Sequence, residues 1–109
     1  MKLAIIGSRK LNVTNLDDYI PPCVTEIVSG GAKGIDSLAA EYAKRNNIPL
    51  VEFKPDYKQF HKGAPLKRNH LIAQYADEAI AFWDGTSKGT LYTINLFKQS
   101  NKKITIIKL

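Results

Sequence analysis

The chain is short of covalent staples, of long apolar runs and of acids. Its single cysteine, Cys23, excludes an internal disulfide. Cys23 follows Pro21-Pro22 with no His or Asp beside it in sequence, and reads as a packing residue rather than a nucleophile. The longest apolar stretches, such as Leu3 to Ile6, are a few residues long. A bilayer span needs roughly 18. The first residues lead directly into a strand-like segment, with no signal-type apolar region and cleavage site, so the expected location is cytoplasmic by elimination. His61 and His70 lack metal-ligand spacing with Cys, Asp or Glu, so no metal is expected. No cofactor is implied either. Ten acids stand against sixteen Lys and Arg, a net charge of +6 that favours anionic partners. The basic residues are scattered, and the densest group, Lys98 to Lys103, reads as decoration of a helix end and its turn.

Apolar patterning supplies the architecture. Five runs have strand length and are rich in β-branched or aromatic residues: Leu3–Ile6, Thr25–Ser29, Leu50–Phe53, Ala79–Trp83 and Ile104–Ile107. The first, fourth and fifth are apolar on both faces, as strands covered by helices on both sides must be. Between the runs lie helical stripes: Ile35, Leu38, Ala39, Tyr42 and Ala43; then Leu71, Ile72, Tyr75 and Ala76; then Leu91, Ile94 and Phe97. Asn15 is placed to cap a short helix through Tyr19. Strand alternating with helix predicts βαβ units. The expected fold is α/β: one Rossmann-like domain over residues 1–109, a doubly wound parallel sheet of about five strands in order 3-2-1-4-5, with helices on both faces. The segment Lys54 to Ala64 is long for a βα turn and reads as a specificity element.

The seven glycines all fall beyond strand carboxyl ends, the edge at which ligands bind in such sheets. Gly7 opens Gly7-Ser8-Arg9 after the first strand. Gly30, Gly31 and Gly34 punctuate Ser29-Gly30-Gly31-Ala32-Lys33-Gly34-Ile35-Asp36 after the second. Gly85 and Gly89 punctuate Trp83-Asp84-Gly85-Thr86-Ser87-Lys88-Gly89-Thr90 after the fourth. A phosphate needs bare backbone N–H groups at close approach and the positive end of a helix, and glycine-rich turns that open helices offer both. Two such ends facing one crevice suit a phosphate or diphosphate. Ser8, Thr86, Ser87 and Thr90 add hydroxyls, and Arg9, Lys33 and Arg68 add charge. For any single loop, a plain tight turn explains the glycines equally well. The P-loop spacing and the Gly-x-Gly-x-x-Gly fingerprint are both missing.

Taken together, Gly7-Ser8-Arg9, Ser29-Gly30-Gly31-Ala32-x-Gly34-Ile35-Asp36, Arg68-Asn69 and Asp84-Gly85-Thr86-Ser87-x-Gly89-Thr90 resemble the SLOG superfamily, and within it the YspA/cpYpsA-related branch. The superfamily also includes the DNA-processing protein DprA/Smf and the LOG phosphoribohydrolases. The resemblance runs through essentially the whole chain. It implies a Rossmann-like fold with a nucleotide-derived ligand in the crevice, and family behaviour implies a homodimer. The LOG enzymes carry a catalytic Glu in Pro-Gly-Gly-x-Gly-Thr-x-x-Glu. Thr93 stands at that position here, whereas Arg68 matches the LOG arginine that helps hold the substrate.

The expected ligand site therefore comprises Gly7, Ser8, Arg9, Ser29, Gly30, Gly31, Ala32, Gly34, Asp36, Arg68, Asn69, Trp83, Asp84, Gly85, Thr86, Ser87, Gly89 and Thr90. Asp36 either favours the start of its helix or accepts from a ribose hydroxyl. Asp84 either shapes its turn or acts as a base. Trp83, Tyr57 and Phe60 are candidates to stack on a base, and Trp83 is equally a candidate core residue. Three functions follow. The first is a nucleotide-binding module or sensor. The second is a LOG-like N-glycosidic hydrolase of nucleoside monophosphates, with Asp36 or Asp84 replacing the missing Glu. The third is DprA-like binding of single-stranded nucleic acid, which the scattered charge supports little.

Overall fold

The computed structural model describes residues 1–31 and 33–109. Strands β1 (Lys2–Gly7), β2 (Glu26–Ser29), β3 (Leu50–Glu52), β4 (Glu78–Trp83) and β5 (Lys103–Lys108) form one sheet in the order β3-β2-β1-β4-β5. Every pairing is parallel. This is the α/β, Rossmann-like arrangement expected from the apolar runs. Helix α1 (Ile35–Arg45) follows β2; α2 (Tyr57–Phe60), a 3-10 turn and α3 (Ala64–Tyr75) follow β3; α4 (Lys88–Gln99) follows β4.

Side-chain alternation along the strands divides the core into two layers. Leu3, Ile5, Ile27, Ile80 and Phe82 face Ile35, Ala39 and Ala43 of α1, closed at one side by Val13 and Leu16. Ala4, Ile6, Val28, Ala79 and Ala81 face Ile72 and Ala73 of α3 and Ile94 and Phe97 of α4. Alanines on this second face let two helices lie close to the sheet. Large side chains buried in either layer contribute about 1.5–3 kcal/mol each.

Several local expectations are corrected. β5 is apolar in sequence, yet it is an outer strand with little cover: Ile106 is 39% exposed. In α3 and α4 the expected Ile72, Ala76, Ile94 and Phe97 are buried, but Leu71 and Leu91 face outward while Ala73, Thr90 and Thr93 are buried. The segment 54–64 is not an open loop but folds into α2 and the 3-10 turn, with the Asp56 carboxylate capping α2 at the Gln59 amide, 3.2 Å. Cys23 is exposed rather than packed. Asn15 precedes the 3-10 turn Leu16–Tyr19 but makes no side-chain cap. Within the lysine group, Lys102 does not decorate a surface. Its ammonium donates to the carbonyls of Ala73, Gln74 and Ala76 at 2.6, 3.1 and 2.8 Å, neutralising the negative end of α3.

Candidate functional site

The carboxyl ends of β1, β2 and β4 border a cleft of about 430 Å³. Gly7, Ser8, Arg9 and Lys10 line it from the end of β1, and Gly30 and Asp36 from the β2–α1 side. Arg68, Asn69, Ile72, Pro65 and Leu66 line it from α3. Asp84, Ser87, Gly89, Thr90 and Thr93 close it from the β4–α4 side.

The two glycine loops do not contribute alike. The start of α4 opens onto the cleft through Ser87, Gly89 and Thr90, and a Cβ at Gly89 would meet only open space. Ser87 caps this helix, accepting from the Thr90 amide at 3.5 Å and donating to the Thr90 hydroxyl at 3.2 Å. The β2–α1 loop is used differently. Gly30 is buried, and a Cβ there would collide with Nη1 of Arg68. Gly34, at φ 72°, presses against the Arg9 carbonyl, so a side chain there would push the two loops apart. These glycines make room for neighbouring protein groups.

Arg68 is anchored twice. Its Nη1 donates to the Gly30 carbonyl at 2.7 Å and its Nε to Asn69 Oδ1 at 2.8 Å. Burial lowers its pKa, opposed by the Asp36 carboxylate and reinforced by Arg9. The guanidinium stays charged regardless, so a partly desolvated cation stands in the cleft wall. Ser8 is buried, and its Oγ finds no hydrogen-bond partner among the described residues. Asp84 accepts from the Thr86 and Ser87 amides through Oδ1, at 2.9 and 2.8 Å. Those amides hold its carboxyl below the usual range, which suits a turn-shaping carboxylate and not a base. The Thr93 hydroxyl donates to the Gly89 carbonyl one turn back, at 3.1 Å.

The remaining residues expected at the site lie elsewhere. Ser29 is fully buried and accepts from the Gly31 amide. Gly31 faces Lys54, and Gly85 faces Lys108. Trp83 donates its indole N–H to the Ser87 carbonyl at 3.0 Å, fastening the loop from behind. Thr86 serves the Asp84 turn. Ala32 lies outside the described residues. Tyr57 and Phe60 do not line the cleft, and His61 is exposed at φ 51°. His70 shares a 2.6 Å hydrogen bond with Tyr92 across α3 and α4. Among the described residues no cluster of three or more His, Cys, Asp or Glu gathers. Sequence reasoning had not included Lys10, Ile6, Ile72, Pro65 and Leu66 in the cleft; for Lys10 the signal was its place beside Ser8-Arg9.

No curated protein and no solved structure matches the chain. A family model does: the one described as the YspA, cpYpsA-related SLOG family matches residues 1–60, the half that holds Gly7-Ser8-Arg9 and the glycine loop before α1. With a parallel 3-2-1-4-5 sheet and those motifs at its carboxyl edge, the chain belongs to the YspA/cpYpsA-related SLOG family.

Proposed function

We propose that the cleft binds the phosphate end of a nucleotide-derived ligand and that the chain acts as a binding module or sensor. One observation carries the reading: the Ser8 hydroxyl is buried without a partner in the wall of a cleft that also holds Arg68 and the open start of α4. Leaving a buried hydroxyl unpaired costs about 1–3 kcal/mol, so such a group is expected to find its partner in a bound molecule. A phosphate oxygen accepts from a serine hydroxyl, from helix-start amides and from a guanidinium alike. Family membership supports a nucleotide as the carrier of that phosphate. The binding-module reading is favoured over hydrolysis because Asp84, one of the two carboxylate candidates, is committed to its own turn, and the position of the LOG glutamate carries no base. Asp84 is held by two amides, and Thr93, which replaces a carboxylate, bonds within its own helix.

The test is a melting screen with AMP, ADP, ADP-ribose, cyclic nucleotides and inorganic phosphate. A ligand at about 100 times its Kd adds roughly 2.7 kcal/mol, a rise of many degrees in a domain of this size. Binding should come without chemistry, so chromatography after long incubation with AMP should show negligible free base. Failure of every nucleotide to raise Tm would overturn the nucleotide reading. Base release at enzyme far below substrate would replace the module with a hydrolase.

A further inference from the structure

The two outer strands of the sheet are not treated alike. β3 has three residues, is flanked by Pro49 and Pro55, and carries Glu52. Short length, prolines and charge are the usual means of keeping an edge from pairing. β5 has six residues, Lys-Ile-Thr-Ile-Ile-Lys, without proline, glycine or acid. The Leu109 amide donates to the Trp83 carbonyl at 3.0 Å. Strand alternation then turns the amides and carbonyls of Ile104, Ile106 and Lys108 to the open side. Four of the large exposed apolar side chains lie in the same part of the chain: Leu91, Tyr92, Ile106 and Leu109.

The charge there has one sign. Residues 85–109 contain Lys88, Lys98, Lys102, Lys103 and Lys108 and not one Asp or Glu. Lys102 is committed to α3, but Lys103 and Lys108 are exposed at the two ends of the strand, about 17 Å apart at 3.3 Å per residue. Glu78 lies beside Lys103 in register, yet no ion pair joins them among the described residues.

We propose that the open edge of β5 is a docking site for an extended polypeptide segment of another protein, apolar and β-branched in its middle and acidic at both ends. Main-chain hydrogen bonds to Ile104, Ile106 and Lys108 supply the pairing, and carboxylates meeting Lys103 and Lys108 fix its register. A second copy of this chain fits poorly, because a two-fold antiparallel pairing of β5 lays the Lys103 end of one strand along the Lys108 end of the other, with no acid in either strand. A nucleic-acid strand satisfies the lysines but not the row of amides and carbonyls, and Tyr92 is the single aromatic side chain of residues 85–109 besides Phe97, which is fully buried.

The experiment uses two capped synthetic peptides, Glu-Thr-Val-Tyr-Val-Glu, whose carboxylates stand five residues apart as Lys103 and Lys108 do, and its counterpart with Lys at both ends, followed by amide NMR of the full chain. The acidic peptide should shift the Ile104, Ile106 and Lys108 amides and slow their hydrogen exchange, leaving Thr105 and Ile107 nearly unchanged. The lysine peptide should bind about tenfold more weakly or worse, and Lys103→Glu with Lys108→Glu should reverse that preference. Ile106→Pro removes an outward N–H without touching the β4 ladder; it should keep Tm within a few degrees and lose the peptide response. Equal binding of both peptides, or no perturbation of β5 at millimolar peptide, overturns the proposal. A concentration-dependent dimer abolished by Ile106→Pro assigns the edge to a second copy and overturns it equally. So does protection of the same three amides by an oligonucleotide.

Discussion

Gly30→Ala tests whether the seat of Arg68 is built by the absence of a side chain. Gly30 does not have a positive φ, so alanine adopts its conformation without strain. The added methyl would lie against Nη1 and Cζ of Arg68, the far end of a flexible side chain, so the guanidinium yields and the backbone stays. The bond from Nη1 to the Gly30 carbonyl, 2.7 Å, is lost. The loss is offset in part by about 0.4–1 kcal/mol from the stiffer unfolded chain, leaving a net cost of about 1–2 kcal/mol and a folded domain. The cost to binding is larger. A displaced Arg68 forfeits a charge-assisted contact to phosphate of about 1.5–3 kcal/mol, a weakening of about tenfold to 150-fold. Calorimetry with AMP, or with whichever mononucleotide the melting screen selects, should show that loss for Gly30→Ala and for Arg68→Ala. The double variant should bind no worse than Arg68→Ala alone, because both changes remove one interaction. Wild-type affinity in Gly30→Ala beside a weakened Arg68→Ala, or additive losses in the double variant, would refute the reasoning.

Ser8→Ala should leave the unliganded protein as stable or up to about 1–2 kcal/mol more stable, while nucleotide affinity falls roughly fivefold to thirtyfold; urea titration and calorimetry read the opposite signs, and a less stable apo protein contradicts the orphan hydroxyl. Asp84→Asn should be less stable than wild type at pH 7. Because the folded carboxyl titrates below its unfolded value of about 4, the difference should shrink as pH falls from there through the lowered value and vanish below it, as followed by melting against pH. Lys102→Ala strips three carbonyls of their donor and should lower stability by about 1–3 kcal/mol without affecting nucleotide binding, measured by urea titration and calorimetry.

The sheet was legible because buried parallel strands must be apolar on both faces, as Leu3–Ile6 and Ala79–Trp83 are, and its order followed from strand–helix alternation with right-handed crossovers. Composition misled at Ile104–Ile107, since β-branched residues suit an uncovered edge as well as a covered centre. The shift of Leu71 and Leu91 to the surface has a similar origin. Ala73 packs into the core layer under α3, and Thr90 and Thr93 are buried in the cleft wall, yet hydropathy alone ranks all three below leucine. At the site, the glycines marked the edge at which the cleft opens, but a glycine spared for a ligand and one spared for a neighbouring arginine look the same in sequence. Arg68 stands opposite Gly30, and open space stands opposite Gly89. The roles of Trp83 and Lys102 were equally hidden, because each depends on carbonyls presented by another segment.

The central place of β1 sets the order in which the chain assembles during synthesis. β1, β2, α1 and β3 are complete once residue 52 has emerged, and α1 already covers one face. The other side of β1 pairs only with β4, whose partner for Leu3 is Glu78, and the Lys2 amide bonds the Asp77 carboxylate 75 residues away. Until that segment arrives, the nascent chain carries an apolar strand with one open edge and a bare second face formed by Ala4, Ile6 and Val28. Such long-range closure is slow, and the waiting intermediate is prone to associate. Ser8 and Gly30 are made early, while Arg68 and the start of α4 are made late, so the cleft exists only once β4 has paired and α4 has begun. Anything that fills the cleft therefore meets a chain already folded past β4.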